Sequence, residues 1–538
     1  MACPSLWDMS RGARIAALVW LVSTALFVLA PAAQAGRDFP KGFLFGTASS
    51  GFQSEAGGKP ANVDRRSDWF QFTTDPGLIA DGAVSGDRIS RGPGFLNVWR
   101  SDLDRAAEGL GNNAIRLGIE WSRIFPRSTA GVDTGRKISE RDLKQLDGLA
   151  DHSELRRYRR ILEGAKRRGL DVMLTLNHFT LPIWIHDPAG VRAAFEGVGS
   201  DDPVPEGLEK AGWLSRSTVG EFRKFAAYVA WKLHPEVDRW ATLNEPLVQV
   251  SQGYVSIPGV TGVKAPGILN YPAALRAVEN LGLANAAAYD AVHAEDRHAK
   301  VGFVHNMVDW RPADPDSPAD QASTANADQV FNREFLEIAV NGWYDVDADG
   351  VEDPGEVRPK LADKADFIGV NHYSPGTAKS LGFPVSSTIP LFDFLPSLTY
   401  QGHGNPTGPP CPTTCSDFGW EIDPNGLRNV VEEADSYGKP IYVTENGIDD
   451  REDDQRSDYL VTYLRALSAA IDDGADVRGY YAWSLTDNFE WAEGYEPSFG
   501  FYGYDPGTLE RERRPSAGIY RRIVRTGSIP SFERARGE

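Results

Sequence analysis

Cysteine is scarce in this chain, with three residues in 538. Cys3 falls in an N-terminal apolar leader, which leaves Cys411 and Cys415 in "CPTTC". Three intervening residues allow a small loop disulfide in an exported chain; two free thiols are the alternative. A zinc site would need two more ligands, and only His403 is close in sequence. Positive charge is also short: the formal net charge is −19. That excludes a nucleic-acid or acidic-lipid partner unless basic residues concentrate in one patch. The basic runs Arg156 to Arg160 and Lys166 to Arg168 read instead as the solvated face of one helix. Long apolar runs are the third absence. Beyond the leader, no stretch could span a bilayer, so no transmembrane domain is expected in the mature chain.

The leader reads as an address. Arg11 and Arg14 precede the apolar run "IAALVWLVSTALFVLA", and Ala33-Gln34-Ala35 supplies a small-x-small cleavage pattern. The expectation is a secretory signal over residues 1–35, cleaved after Ala35, with a secreted or periplasmic mature chain 36–538. An uncleaved N-terminal membrane anchor is the alternative.

What is present is an alternation. Short β-branched or apolar runs occur at Phe43 to Thr47, Ala114 to Ile119, Val172 to Leu176, Trp240 to Leu243, Val301 to Val304, Phe367 to Val370, Ile441 to Thr444 and Arg478 to Trp483. Helical patterns lie between them, at Tyr158 to Arg168, Thr218 to Leu233, Ala273 to Ala294, Gln329 to Ala339, Leu427 to Tyr437 and Tyr459 to Ile471, and another follows Pro515. Eight strands alternating with helices predict a single α/β (β/α)8 barrel. No composition break or repeat divides it. Pro312 to Asp328 and Gly404 to Asp417 read as long loops over the C-terminal face of the barrel.

In such a barrel the chemistry sits where the strands end. Polar residues stand there: Gln53 and Glu55, Asn177 and His178, Asn244 and Glu245, Asn371, His372 and Tyr373, Glu445 and Asn446, then Asp487, Glu490 and Trp491, with Arg116 inside the second run. Two glutamates at two strand ends, in "TLNEP" and "VTENG", suit glycoside cleavage, in which one carboxylate attacks the anomeric carbon and a protonated one serves the leaving oxygen. Arg116 would keep one ionised.

The segments "FGTASSGFQSEAG", "IRLGIEWSRIFP", "TLNHFTLPIW", "TLNEP", "GVNHYSP", "YVTENGI" and "WSLTDNFEWAEGY" resemble glycoside hydrolase family 1, the retaining β-glycosidases. "LPIWIHDP", "GWLSRSTVGEFRKFAAYVAWK" and "SDFGWEIDPNGL" are similar to its archaeal type. The resemblance implies Glu445 as nucleophile and Glu245 as acid/base. It implies Arg116, Tyr373 and Asn371 as their support, and Gln53, His178, Asn244, Trp483, Glu490 and Trp491 around the reacting sugar. Trp420 would lie under the leaving group. The implied partner is a β-glycoside, small or oligosaccharide, and catalysis needs no cofactor. A carboxylate at Glu490 disfavours a 6-phospho sugar. Phe179 stands where many members carry Trp, His372 precedes the tyrosine, and "EPSFGFYGYD" lacks the basic residue many members have before the Phe-Gly pair. A transglycosidase using the same intermediate, or a carbohydrate-binding barrel without turnover, are the alternatives.

One motif lies outside this chemistry. "DVDADGVEDPGE" fits a calcium loop, with Asp345, Asp347 and Asp349 at positions 1, 3 and 5, the Val351 carbonyl at 7 and Glu356 at 12. Pro354-Gly355 interrupts the usual exit helix, so a structural calcium would sit in an isolated loop; a solvated acidic loop is the alternative.

Overall fold

The computed structural model describes residues 38–135, 137–257 and 262–531, so the leader lies outside the described residues. Eight strands carry the fold: β1 (Leu44–Ala48), β2 (Ala114–Gly118), β3 (Asp171–Asn177), β4 (Arg239–Asn244), β5 (Val301–Asn306), β6 (Phe367–Asn371), β7 (Ile441–Asn446) and β8 (Val477–Ala482). Neighbouring strands pair in parallel, and β1 pairs with both β2 and β8, which closes the barrel. Each of the eight apolar runs in the sequence became one of these strands. Parallel strands are covered on both faces, so they read as nearly continuous apolar runs without polar alternation.

The two faces can still be told apart. Inside the barrel, Ala48, Ala114, Met173, Ala241, Val304, Phe367, Tyr442 and Tyr481 form one buried cluster, with one residue from each strand. The lumen is thus filled, as layers of side chains fill such barrels. Gly46 makes room for this plug: a Cβ there would lie 2.5 Å from the Tyr481 ring. The other faces of the strands, for example Ile115, Val172, Trp240, Ile368 and Val443, pack with the surrounding helices in the main core.

The helix ring is α1 (Phe95–Asp104), α2 (His152–Arg167), α3 (Arg216–Leu233), α4 (Tyr271–Glu295), α5 (Pro318–Asp328), α6 (Pro424–Asp435), α7 (Arg456–Asp472) and α8 (Ser516–Thr526). The basic runs around Arg160 belong to α2, where Leu155, Tyr158, Ile161, Leu162 and Ala165 form the buried face. Two points differ from the sequence reading. α1 was not marked in the sequence although Leu96, Trp99 and Leu103 stand at helical spacing, and the expected loop 312–328 contains α5. The stretch "SPADQASTANAD" has few large apolar residues, yet it holds a complete helix start. The Ser317 side chain accepts from the Asp320 N–H, and Pro318 occupies the first turn, where its missing N–H costs nothing. The helix continues through wide π turns at Gln329–Arg333 and Glu337–Asn341, where the apolar pattern had already marked a helix.

Outside the barrel, Asp309–Pro312, Pro375–Ser380 and Phe394–Ser397 form a three-stranded sheet, and Tyr502–Tyr504 pairs with Arg511–Arg513. Both lie in connections that leave the C-terminal ends of barrel strands, the end where the site is built.

Candidate active site

Glu445 occupies the end of β7, and the strand delivers it by a local irregularity. The pairing of β7 with β6 and with β8 slips beyond Val443, so the carboxylate turns inward as the ladder ends. Gly447 follows because nothing else fits. A Cβ there would come within 1.9 Å of the Trp483 carbonyl oxygen. Glu245 follows β4 in a left-handed backbone conformation, with φ of 48°, just before Pro246 opens the short helix Pro246–Gly253. Phe179 and Trp491 share that conformation, at φ of 69° and 50°. Non-glycine residues seldom adopt it, and its gathering at one place suits a site that aims side chains inward.

The two glutamates meet different surroundings. Glu445 receives the Arg116 guanidinium on Oε1 and the Tyr373 hydroxyl on Oε2 at 2.7 Å. Arg116 also donates to Asn244 Oδ1 at 2.6 Å and to Thr175 Oγ1 at 3.1 Å, so its plane is fixed before any ligand arrives. Among the described residues Glu245 has only amide donors, Asn371 at 2.8 Å and Asn306 at 3.3 Å. Burial and then the charge of Glu445 push its carboxyl up to about 7, against the Asn371 hydrogen bond and the charges of Lys264 and Arg116. One carboxyl is therefore held by cation and phenol, and the other keeps its proton into the neutral range. Burial raises the Tyr373 phenol well above its usual range, so it stays a donor.

Around them is a wall of rings and polar side chains. His178 stacks between Trp483 and Trp491, with ring centroids 6.1 and 5.8 Å away. Burial, then Arg116 and Lys264, keep its imidazole neutral. Because Arg116 claims the Asn244 oxygen, the Asn244 amide donates to His178 Nε2 at 3.1 Å. The His178 proton therefore sits on Nδ1, which has no partner among the described residues. Gln53 is oriented by Ser50 and donates to Asn488 at 3.0 Å and to Glu490 at 3.2 Å. Burial and then Glu493 raise the Glu490 carboxyl well above its usual range. Trp420 lies 5.2 Å from the Tyr373 ring, on a loop braced by reciprocal bonding with Ser416 and a bridge between Cys415 and Glu421. A disulfide joins Cys411 to Cys415 beside it.

The strand-end pattern also gathered residues that do not join the site. Glu55 accepts from Arg123 and Tyr158, both at 2.6 Å. Asn177 caps the Thr180 carbonyl, His372 bonds the Met307 carbonyl, Asn446 donates to Tyr459, and Asp487 pairs with Arg514. His403 bonds Asp449 rather than the cysteines. Conversely, sequence reasoning missed Thr175, Asn306, Asn488 and above all Lys264. Lys264 is 4% exposed and comes from the irregular stretch "TGVKAPG", which carries no periodic or strand-end signal.

In the acidic loop, oxygens of Asp345, Asp347 and Asp349 lie within 4.8 Å of one another, so three of the five candidate ligands converge. Asp345 accepts from the Asp349 and Gly350 N–H groups at 3.0 and 2.7 Å, which wraps the loop around that point. Val351 points outward at 58% exposure, its N–H bonded to Asp349. Glu356 stands apart, accepting from the N–H groups of Val346 and Asp353 and from Trp343. Of the three converging residues, Asp345 is buried, Asp349 half-buried and Asp347 exposed, while the twelfth position is spent on the loop itself.

Comparison with known proteins agrees with this geometry. The family described as Glycosyl hydrolase family 1 matches residues 35–194 and 203–528. A "Beta-galactosidase" of Pyrococcus woesei is 35% identical over 91% of this chain and 98% of its own. Another "Beta-galactosidase", of Saccharolobus solfataricus, is 37% identical over 91% and 96%. The crystal structure of the β-glycosidase of the hyperthermophile Thermosphaera aggregans superposes with a TM-score of 0.79 at 34% identity, covering 92% of this chain and 98% of that one.

Proposed function

The chain belongs to glycosyl hydrolase family 1 and is an O-glycosyl hydrolase of β-glycosides, and we propose that it removes terminal glucose- or galactose-type residues by a retaining double displacement. The observation that carries this reading is the contrast between the two glutamates. Glu445 is held by Arg116 and Tyr373, while Glu245, with neutral donors only, is raised to about 7. A retaining enzyme needs one ionised carboxylate and one protonated carboxyl on opposite sides of the scissile bond.

In the first step a Glu445 oxygen forms a bond to the anomeric carbon. The glycosidic C–O bond breaks, its electrons go to the leaving oxygen, and Glu245 gives that oxygen its proton. In the second step Glu245, now a carboxylate, takes a proton from water. The water oxygen displaces Glu445 at the same carbon and restores the starting β configuration. Asn244, Gln53, His178 Nδ1 and Glu490 offer hydroxyl contacts, Trp483 and Trp491 cover the apolar face of the ring, and Trp420 underlies the leaving group. The reaction of this family needs no catalytic cofactor.

Two further readings extend this one. The acidic loop takes a structural calcium through Asp345, Asp347 and Asp349, supported by the converging oxygens. The chain is exported by cleavage after Ala35, supported by the leader sequence and by the disulfide. Among the described residues no helix is long and apolar enough to cross a membrane.

The roles are tested by rates of wild type, Glu445→Ala and Glu245→Ala on aryl β-glycosides with added azide. Rescue of Glu445→Ala to an α-glycosyl azide and of Glu245→Ala to a β-glycosyl azide is expected. Swapped products would exchange the roles. Wild-type turnover only with an added sugar or alcohol acceptor would favour a transglycosidase, and no turnover at all a binding barrel.

A further inference from the structure

Lys264 is a buried cation for which the reaction above has no use. Its ammonium lies 3.8 Å from the Phe179 ring centroid and 4.8 Å from that of Trp491. The carboxyls whose charges reach it are, strongest first, those of Glu245, Glu490, Glu493 and Glu445. Two of these are the reacting pair and one is the partner of Gln53. The ammonium therefore faces the space in which the sugar must sit.

The backbone fixes it there. The Lys264 N–H donates to the Gln252 carbonyl at 2.9 Å, and the Gln249 side chain donates to the Ala265 carbonyl at 2.7 Å. Both partners lie on the short helix that begins immediately after Glu245. The loop and the acid/base residue thus share one rigid support.

We infer that Lys264 is a further substrate-binding and specificity-determining residue, whose ammonium donates a hydrogen bond to a hydroxyl of the bound sugar on the Phe179, Trp491 and Glu490 side of the pocket. An ammonium carries three N–H donors. Among the described residues this one makes no hydrogen bond and no ion pair, although the side chain is almost wholly buried. The aromatic faces attract its charge but present no lone pair in the manner of an oxygen acceptor. The Nζ atom itself is not sealed from solvent, so its donors are open to a ligand rather than left unsatisfied in the core. A sugar hydroxyl can accept from it and at the same time donate to a carboxyl, which suits the neighbourhood of Glu490. An anionic substituent fits less well, since the charges of four carboxyls reach this one ammonium. Phe179 is part of the same arrangement, because the ammonium lies over its ring.

The inference rests on the β-glycosidase reading and is tested separately from it. Wild type, Lys264→Met and Lys264→Arg are assayed on the faster of the 4-nitrophenyl β-glucoside and β-galactoside, on its 3-, 4- and 6-deoxy analogues and on the β-glucuronide, with melting temperatures measured in parallel. Lys264→Met should lose roughly 10- to 100-fold in kcat/KM on the parent glycoside and on two of the deoxy analogues, but less than about 3-fold on the analogue that lacks the contacted hydroxyl. Lys264→Arg, which keeps the cation, should retain part of that discrimination, and it carries the comparison if the methionine variant does not fold. Equal losses on every analogue would overturn the inference while leaving the glycosidase reading intact. A wild type that prefers the glucuronide would overturn it too, because the ammonium would then read an anion. Inactivity of wild type on the whole panel would remove both.

Discussion

Replacing Glu245 by Gln should make the protein more stable at neutral and alkaline pH while removing the acid catalyst proposed above. The sign follows from the direction of the shift. In the unfolded chain this carboxyl releases its proton near its ordinary 4.5, whereas in the folded chain it holds it to about 7. Between those values the folded state binds a proton that the unfolded state has lost, so the stability of wild type falls as pH rises through this window and levels off above it. Two and a half pH units at about 1.4 kcal/mol each give a penalty of about 3 kcal/mol at pH 8. Glutamine keeps an acceptor for Asn371 and carries no charge into the buried site, so the variant escapes the penalty. Chemical denaturation of both proteins at pH 5 and pH 8 reads it. The gap should be under about 1 kcal/mol at pH 5 and widen to about 3 kcal/mol, in favour of the variant, at pH 8. In the same pair, wild-type kcat/KM should decline above about pH 7, and the variant should retain activity only on aglycones that leave without protonation. A gap that stays constant between the two pH values, or that turns against the variant as pH rises, would refute the reasoning.

Other expectations can be read in single experiments. Tyr373→Phe removes the 2.7 Å hydrogen bond to Glu445 and should lower kcat/KM roughly 10- to 100-fold with the melting temperature little changed. Cys411→Ser with Cys415→Ser loosens the loop that presents Trp420. It should raise KM for bulky aglycones, as Trp420→Ala should, and leave the hydrolysis of the glycosyl-enzyme unaffected. EDTA should lower the melting temperature and added calcium restore it, by an amount corresponding to about 2.7 kcal/mol at one hundred times the dissociation constant; Asp347→Asn should abolish the response.

The barrel was legible because its strands are buried on both faces. β4 and β7 show no exposed position at all, so each appears in the sequence as a mostly apolar run, broken only by Arg239 and Thr242 or by Thr444, that ends in a carboxylate or amide. The helices were less uniform. α2 and α6 have clear apolar stripes, whereas α5 buries only Asp320, Ser323 and Ala327 and so resembles a loop to any reading based on hydrophobic periodicity. Its start signals, Ser317 and Pro318, were the better evidence there.

Apart from Trp420, which only the family resemblance placed, the site was legible at strand ends and in the few residues just past them. A strand end fixes position along the barrel axis but not direction, and direction decides function. Glu445 and Asn446 are consecutive, yet one side chain meets Arg116 inside the pocket and the other meets Tyr459 of α7 behind the wall. Glu55 shows the same failure on a helical turn: it lies two residues from Gln53 and pairs with Arg123 instead of a ligand. Lys264 marks the opposite limit. Its position comes from a connection pinned to the helix after Glu245 by Gln249 and Gln252, so no local pattern announces it. Contacts made by strand ends set the reaction shared by the family, and contacts made by the loops between them are where a member can acquire its own choice of sugar.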